Sequence, residues 1–261
     1  MTLSSPLAWG VGGDLDEIKA AGKIRIAVFG DKPPFGYVDA NGEHQGYDIY
    51  LGKRLSLDLF GSPDKVEWVL VEAASRMEVL LANKADLVLA NFTVTEDRAK
   101  QVDFAKPYMK VYLGVSSPKK APITDVSQLS GKTLIVTKGT TADSYFSKNH
   151  PEVKLLKFDQ NTEAFNALLD GRGVGLAHDN TFLFAFDKEN PGFVTAIDRL
   201  GPEDTIAPAV KKGNSKLLSW VNEEIVKLTN DKFFERAYQA TMAPAFGPAV
   251  DPKSVLIDKL D

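Results

Sequence analysis

Arg98 follows an N-cap threonine by three residues in LANFTVTEDRAKQVDF (residues 89–104), where an apolar strand ends and a helix begins. Helix starts carry partial positive charge, so a cation there needs a reason. Thr95 is a good cap, and Glu96 and Asp97 suit the first turn. A guanidinium fork among free amide donors fits a carboxylate, which arginine binds bidentately. The plainer alternative is a surface pair of Arg98 with Glu96 or Asp97. TKGTTADSYF (residues 137–146) offers a second anion-binding start: Gly139 permits a tight turn, and Thr140 or Thr141 caps the helix that follows. Here the alternative is an ordinary capped helix. AHDN (residues 177–180) has the opposite sign. Asp179 can accept from an ammonium, can cap the helix containing TFLFAF, or can do both. His178 reads as a hydrogen-bonded wall residue, not as a catalyst. A carboxylate clamp at Arg98 and Thr141 opposite an ammonium acceptor at Asp179 describes a zwitterion, a free α-amino acid. Phe29, Phe35 and Tyr37 on a proline-stiffened loop, with Phe92 after Asn91, supply aromatic walls. Phe35 reads as core more readily than Phe29.

These residues need a frame, and the chain contains one twice. GKIRIAVFG (residues 22–30) and GKTLIVTKG (residues 131–139) are short apolar strands bounded by glycine. MEVLLANKADLVLAN (residues 77–91) and FNALLDGRGVGLAHD (residues 165–179) each read as helix, polar turn, buried strand and polar terminus, with Asn91 level with Asp179. Two such pairs in the same order predict two α/β lobes of one plan, with mainly parallel sheets and helices on both faces. Extended segments at residues 107–118 and 204–213 are the two crossings. They place lobe 1 at 1–112 and 205–261, lobe 2 at 113–204, and a cleft between. The return to lobe 1 carries helices over 215–228 and 231–242, and the stretch 244–254 reads as a loose end. Ligands of open α/β sheets bind beyond the carboxyl ends of the strands. That rule selects residues 29–37, 90–98, 138–143 and 178–181, where the unusual loop chemistry lies.

Composition removes other classes. The 261 residues are 44% hydrophobic and 25% charged with a formal net charge of −4, which gives no bias towards polyanions and no basic stripe for nucleic acid. With no cysteine, disulfides, thiolate metal sites and cysteine nucleophiles are excluded together. No run of about 20 apolar residues predicts a membrane span. The opening MTLSSPLAWGVGGD lacks the basic start and apolar core of a signal peptide, and reads like a chain whose export segment has been removed.

PPFGYVD, GYDIYLGKRL, ADLVLANFTVTEDRAKQVDFAKPY, KGTTAD, AHDN and IAPAVKKG together resemble the extracytoplasmic solute-binding proteins of polar amino-acid ABC importers, family 3, over nearly the whole chain. PPFGYVD, KGTTAD and AHDN are most similar to the branch that binds cysteine and related small amino acids. The resemblance implies a type II periplasmic-binding fold closing around one ligand, as a monomer that docks on a membrane permease. It implies no cofactor, no metal and no catalytic residue. It places Arg98 and the amides of Thr93 and Thr141 on the α-carboxylate. Asp179 and the carbonyl of Asn91 take the ammonium, and Phe29, Ala74, Arg76 and Thr137 face the ligand side chain, with Tyr37 and Phe92 nearby. Ser75 and Thr137 stand where asparagine is common, Tyr50 where a small residue is usual, and Phe186 where tryptophan is common. Two rivals share the scaffold. A dehydratase-like enzyme needs an acid or base over the reacting carbon. A sensing module or engineered scaffold needs closure alone.

Overall fold

The computed structural model describes residues 13–260; the first twelve residues, and with them the reading of an absent export segment, lie outside the described residues. In chain order the elements are α1 (Leu15–Ala21), β1 (Ile24–Val28), β2 (Asp31–Lys32), β3 (Gly36–Val38), β4 (His44–Gln45), α2 (Tyr47–Phe60), β5 (Val66–Leu70), α3 (Arg76–Leu81), β6 (Leu87–Val88), α4 (Glu96–Ala99) and β7 (Val102–Phe104). The long β8 (Met109–Pro118) leads to β9 (Thr133–Thr137), α5 (Thr141–Asn149), β10 (Lys154–Phe158), α6 (Asn161–Leu169), β11 (Gly175–Asp179), α7 (Asn180–Glu189) and β12 (Phe193–Ile206). The chain ends through β13 (Ala209–Lys211), α8 (Ser215–Asn230) and α9 (Phe233–Phe246).

Two five-stranded sheets carry the fold, ordered β5-β1-β6-β13-β7 and β10-β9-β11-β8-β12. Each has a parallel triplet centred on one of the two glycine-bounded strands, β1 or β9. Each triplet is extended by two antiparallel strands. The sheets are therefore mixed, not mainly parallel. The internal repeat is real, but in each sheet the strand next to the triplet, β13 or β8, runs back against it. The inner strands of the triplets are buried, β1 and β11 almost throughout, whereas the edge strands β5 and β10 hold no fully buried residue.

The repeat is also offset by one residue from its expected register. Ile26 pairs with Leu87, and Ile135, its counterpart by strand alignment, pairs with Leu176. This puts Asn91 level with Asn180, not Asp179. From the end of α6 to Leu176 the chain is one residue longer than from the end of α3 to Leu87, and Gly173 lies in that connection.

β8 and β12 pair antiparallel along the crossing, with register shifts around Ile197 and Leu200. The expected lobe limits at 112/113 and 204/205 fall inside these two strands. In the stretch expected to be loose only Phe246, the end of the last helix, is buried; the chain docks just beyond it, where Val255 is 1% exposed and its carbonyl accepts from Lys110 N at 2.7 Å. The last helix runs past residue 242 to Phe246.

Gly46 fixes the relation between the β2–β3–β4 hairpin layer and α2. Its φ is +113°, and a Cβ there would sit 2.3 Å from the Phe35 carbonyl oxygen and 2.7 Å from that of Pro34. Both obstacles are backbone and cannot swing aside. Gly46→Ala is expected to cost about 3 kcal/mol from overpacking and strained backbone, read as a lower urea midpoint at unchanged slope. A midpoint matching the wild type would contradict the close approach.

Candidate functional site

Arg98 does not pair with its acidic neighbours. Asp97 faces solvent and bridges to Lys100 at 2.9 Å and Lys148 at 3.1 Å. Thr95 caps the single turn of α4 by accepting from Arg98 N at 3.3 Å, which turns the side chain inward. Arg98 donates through Nη1 to Thr93 O at 2.7 Å and through Nη2 to Gly139 O at 2.9 Å, on the other lobe. Arg76 meets the same carbonyl at 3.2 Å and also holds the carbonyls of Ala73, Ala90 and Asn91. The Phe92 ring stands 4.6 Å from each guanidinium, as a shared cation–π platform. Burial pushes Arg98 down to about 10 and Arg76 further below the ordinary arginine value, because neither is surrounded by enough negative charge.

Gly139 is a contact point between the two halves. With φ +74°, it sits where a Cβ would fall 2.5 Å from Ala74 Cα. Ala74 is thus an exposed residue whose backbone packs on the facing lobe. Thr140, not Thr141, caps α5: its Oγ1 accepts from Asp143 N at 3.2 Å and donates to Thr137 O at 2.7 Å. Thr141 is the first helical residue, partly exposed. A cavity of about 620 Å³ opens here, lined by Arg98, Gly139, Thr140, Thr141, Leu113 and Asp204 among others. Asp179, Asn91, Phe29 and Thr137 do not line it.

Asp179, Asn91 and Phe29 lie in a buried charge cluster whose centre is Lys32, a residue the sequence reading passed over. Lys32 Nζ donates to Asn91 Oδ1 at 2.6 Å and to Asp179 Oδ2 at 2.8 Å, at 1% exposure. The Phe29, Phe35 and Phe182 rings surround it at 5.2–5.5 Å. Burial alone would raise the Asp179 carboxyl, but Lys32 and His178 overrule it and hold it well below the ordinary carboxylate value. Asp179 is the residue before α7, yet its side chain makes no capping bond. His178 accepts from Asp179 N at 2.7 Å and meets Asn161 Oδ1 at 3.2 Å, with burial holding it neutral. It is the hydrogen-bonded wall residue expected.

Asp48, the second residue the sequence reading missed, supports this cluster from α2. It is fully buried and accepts from Asn91 N at 2.9 Å and Tyr108 Oη at 2.6 Å, which fixes Asn91 at φ +46°. Both misses had a faint signal: a lysine just past the end of a buried strand, and a carboxylate in the GYDIYL helix start. Of the remaining expected residues, Thr137 ends β9 with a buried Oγ1 that has no partner, and Tyr37 is half-buried on the hairpin opposite Asp31. The Tyr50 and Phe186 departures serve packing, against Phe233 at 5.4 Å and Phe165 at 4.4 Å. Ser75 bonds back to Glu72.

Desolvation raises Asp48 to about 7, against about 4 in an unfolded chain. The folded state therefore binds the extra proton between those values, and the stability it contributes is lost as pH rises through this window. Relative to Asp48→Asn, which cannot ionise, the wild type should lose stability from pH 5 to pH 8, approaching about 1.4 kcal/mol per pH unit at steepest. Urea denaturation of both proteins across that range checks this; parallel profiles would show that Asp48 titrates normally.

Residues 24–242 match the profile of bacterial extracellular solute-binding proteins, family 3. A solute receptor for L-cysteine from Neisseria gonorrhoeae is similar at 60% identity and a TM-score of 0.92, over 94% of this chain and 100% of that one. A cysteine-binding protein from Campylobacter jejuni is similar at 56% identity and a TM-score of 0.92, over 93% and 98% of the two chains. The glutamine-binding protein of an ABC transporter in Bacillus subtilis is 30% identical over 227 residues, 87% of this chain and 81% of that protein. With two α/β lobes joined by paired crossing strands and a cluster of charged side chains buried between them, the chain belongs to the bacterial extracellular solute-binding proteins, family 3.

Proposed function

We propose that this chain captures a free α-amino acid, cysteine or a related small polar one, between its lobes outside the cytoplasm and delivers it to the permease of an ABC importer. One observation carries the reading: guanidiniums from one lobe and a carboxylate from the other are desolvated in a single cluster, Arg76 and Arg98 against Asp179. Burial of unlike charges from separate lobes is what a zwitterion at the interface requires. The two cysteine-binding relatives support the ligand class.

The roles follow the geometry. Arg98, with the amides of Thr93 and Thr141, takes the α-carboxylate beside the 620 Å³ cavity. Asp179 takes the ammonium: its bond from Lys32 uses Oδ2 and leaves Oδ1 as acceptor. The Asn91 carbonyl already accepts from Arg76 at 3.2 Å, so it assists as a shared acceptor. Phe29, Arg76 and the unpartnered Thr137 hydroxyl face the ligand side chain, with Ala74 closing the edge against Gly139. Phe92 acts as the platform for both guanidiniums, Thr140 as the cap of α5, and Tyr37 stands further out. The moving bodies are residues 1–112 with 205–261, and residues 113–204, bending within β8 and β12. Ligand meets Arg98 and Asn91 first; Thr141 and Asp179 join on closure and favour the closed state because those contacts exist only there. The chain works as a monomeric binder with no turnover, since the one histidine at the site has both ring nitrogens engaged.

Arg98→Ala should weaken amino-acid binding by calorimetry at least about a hundredfold, in line with loss of a buried charged partner. Its ligand-free melting temperature should change little; unchanged affinity sinks the assignment. Gly139→Ala should leave both lobes folded but hold them apart. Its scattering profile with ligand should stay that of the open form, and a compaction equal to the wild type would contradict the contact with Ala74.

A further inference from the structure

Three cationic side chains are buried together: Lys32, Arg76 and Arg98, at 1%, 3% and 8% exposure. Phe29 lies 5.4 Å from both Lys32 Nζ and the Arg76 guanidinium, so the cations form a chain across two rings, Phe29 and Phe92. The acidic groups facing them are fewer. Asp179 on β11 is ionised, and Asp48 on α2 is poised about neutral pH between its two states. Asp204 on β12 faces Arg98 from a partly exposed position. His178 and Tyr108 also face the cluster, and burial holds both neutral. Positive charge is therefore in excess inside the closed protein. A neutral zwitterion adds one charge of each sign and leaves that excess unchanged, and uncompensated buried charge is costly.

We propose that the site selects an amino acid whose side chain is bound as an anion, so that a thiol ligand is held as its thiolate, and that Lys32 sets this preference. The inference rests on the amino-acid reading of this same site. Arg76 gives four bonds to backbone carbonyls and Arg98 two, so both guanidiniums keep donors besides; among the described residues only Asn91 Oδ1 and Asp179 Oδ2 accept from Lys32 Nζ, leaving one of its three donors for a ligand. No covalent bond forms. The S–H proton leaves to buffer, and the sulfur pairs with the lysine ammonium and its neighbouring guanidinium. A free thiol near pKa 8.5 is almost wholly protonated at pH 7, so binding as thiolate must release close to one proton.

Titration calorimetry of the wild-type protein with L-cysteine under reducing conditions, in two buffers of different ionisation enthalpy, counts that proton. The expected result is about one proton released per cysteine bound at pH 7 and none with L-serine or S-methyl-L-cysteine. Both controls should bind at least about tenfold more weakly. In Lys32→Met the release should fall well below one proton and the preference for cysteine over serine should drop about tenfold or more. Where that variant does not fold, the wild type decides alone between pH 6 and pH 8: a ratio of cysteine to serine affinity climbing about tenfold per pH unit supports the proposal. Cysteine binding without proton release, parallel pH profiles, or a neutral amino acid preferred over cysteine overturns it and leaves the amino-acid reading intact. Failure of every free amino acid to bind overturns that reading as well.

Discussion

Charge burial between the lobes is the constraint on which the rest depends. An arginine or lysine withdrawn from water must find acceptors or lose its charge. Here the acceptors come from both halves of the molecule. Gly139 O from one lobe takes both guanidiniums of the other, and Asp179 takes Lys32. Each contact is worth having only when the lobes are together. Under the proposed function, closure and binding draw on the same set of charges.

The backbone is arranged to make that event possible. Left-handed geometry occurs where two segments must touch: Gly139 against Ala74 across the cleft, and Asn91 beneath Lys32. Asp48 stabilises the second of these by accepting the Asn91 amide, so a buried acid on α2 shapes a loop beyond β6. The crossing strands supply the freedom. β8 and β12 are paired along their length but interrupted by register shifts, which gives the ladder places to bend without losing all of its bonds.

The relatives at 60% and 56% identity share this fold over nearly the full length of both chains. Sequence departures divide accordingly. Tyr50 and Phe186 pack against aromatic neighbours away from the charge cluster, while Thr137 places an unpartnered hydroxyl at the end of the strand that leads into Gly139.

Much of this was legible in the residues alone. Glycine-bounded apolar strands mark the buried triplets because parallel strands covered on both faces must be apolar throughout, and their repetition announces two similar halves. Arg98 was conspicuous because its type conflicts with its position. The antiparallel extensions, the one-residue offset of the repeat and the docking of Val255 were not legible, since each depends on which strand or surface a segment meets, not on its own periodicity. Lys32 and Asp48 were missed for the same reason. A charged residue beside prolines or in a first helical turn is an ordinary surface feature until folding brings a carboxylate, an amide and three rings around it. Local sequence determined the strands, caps and turns, whose physics is short-range. Only the tertiary structure decided which charges would be deprived of water, because desolvation belongs to the assembled environment and not to any residue.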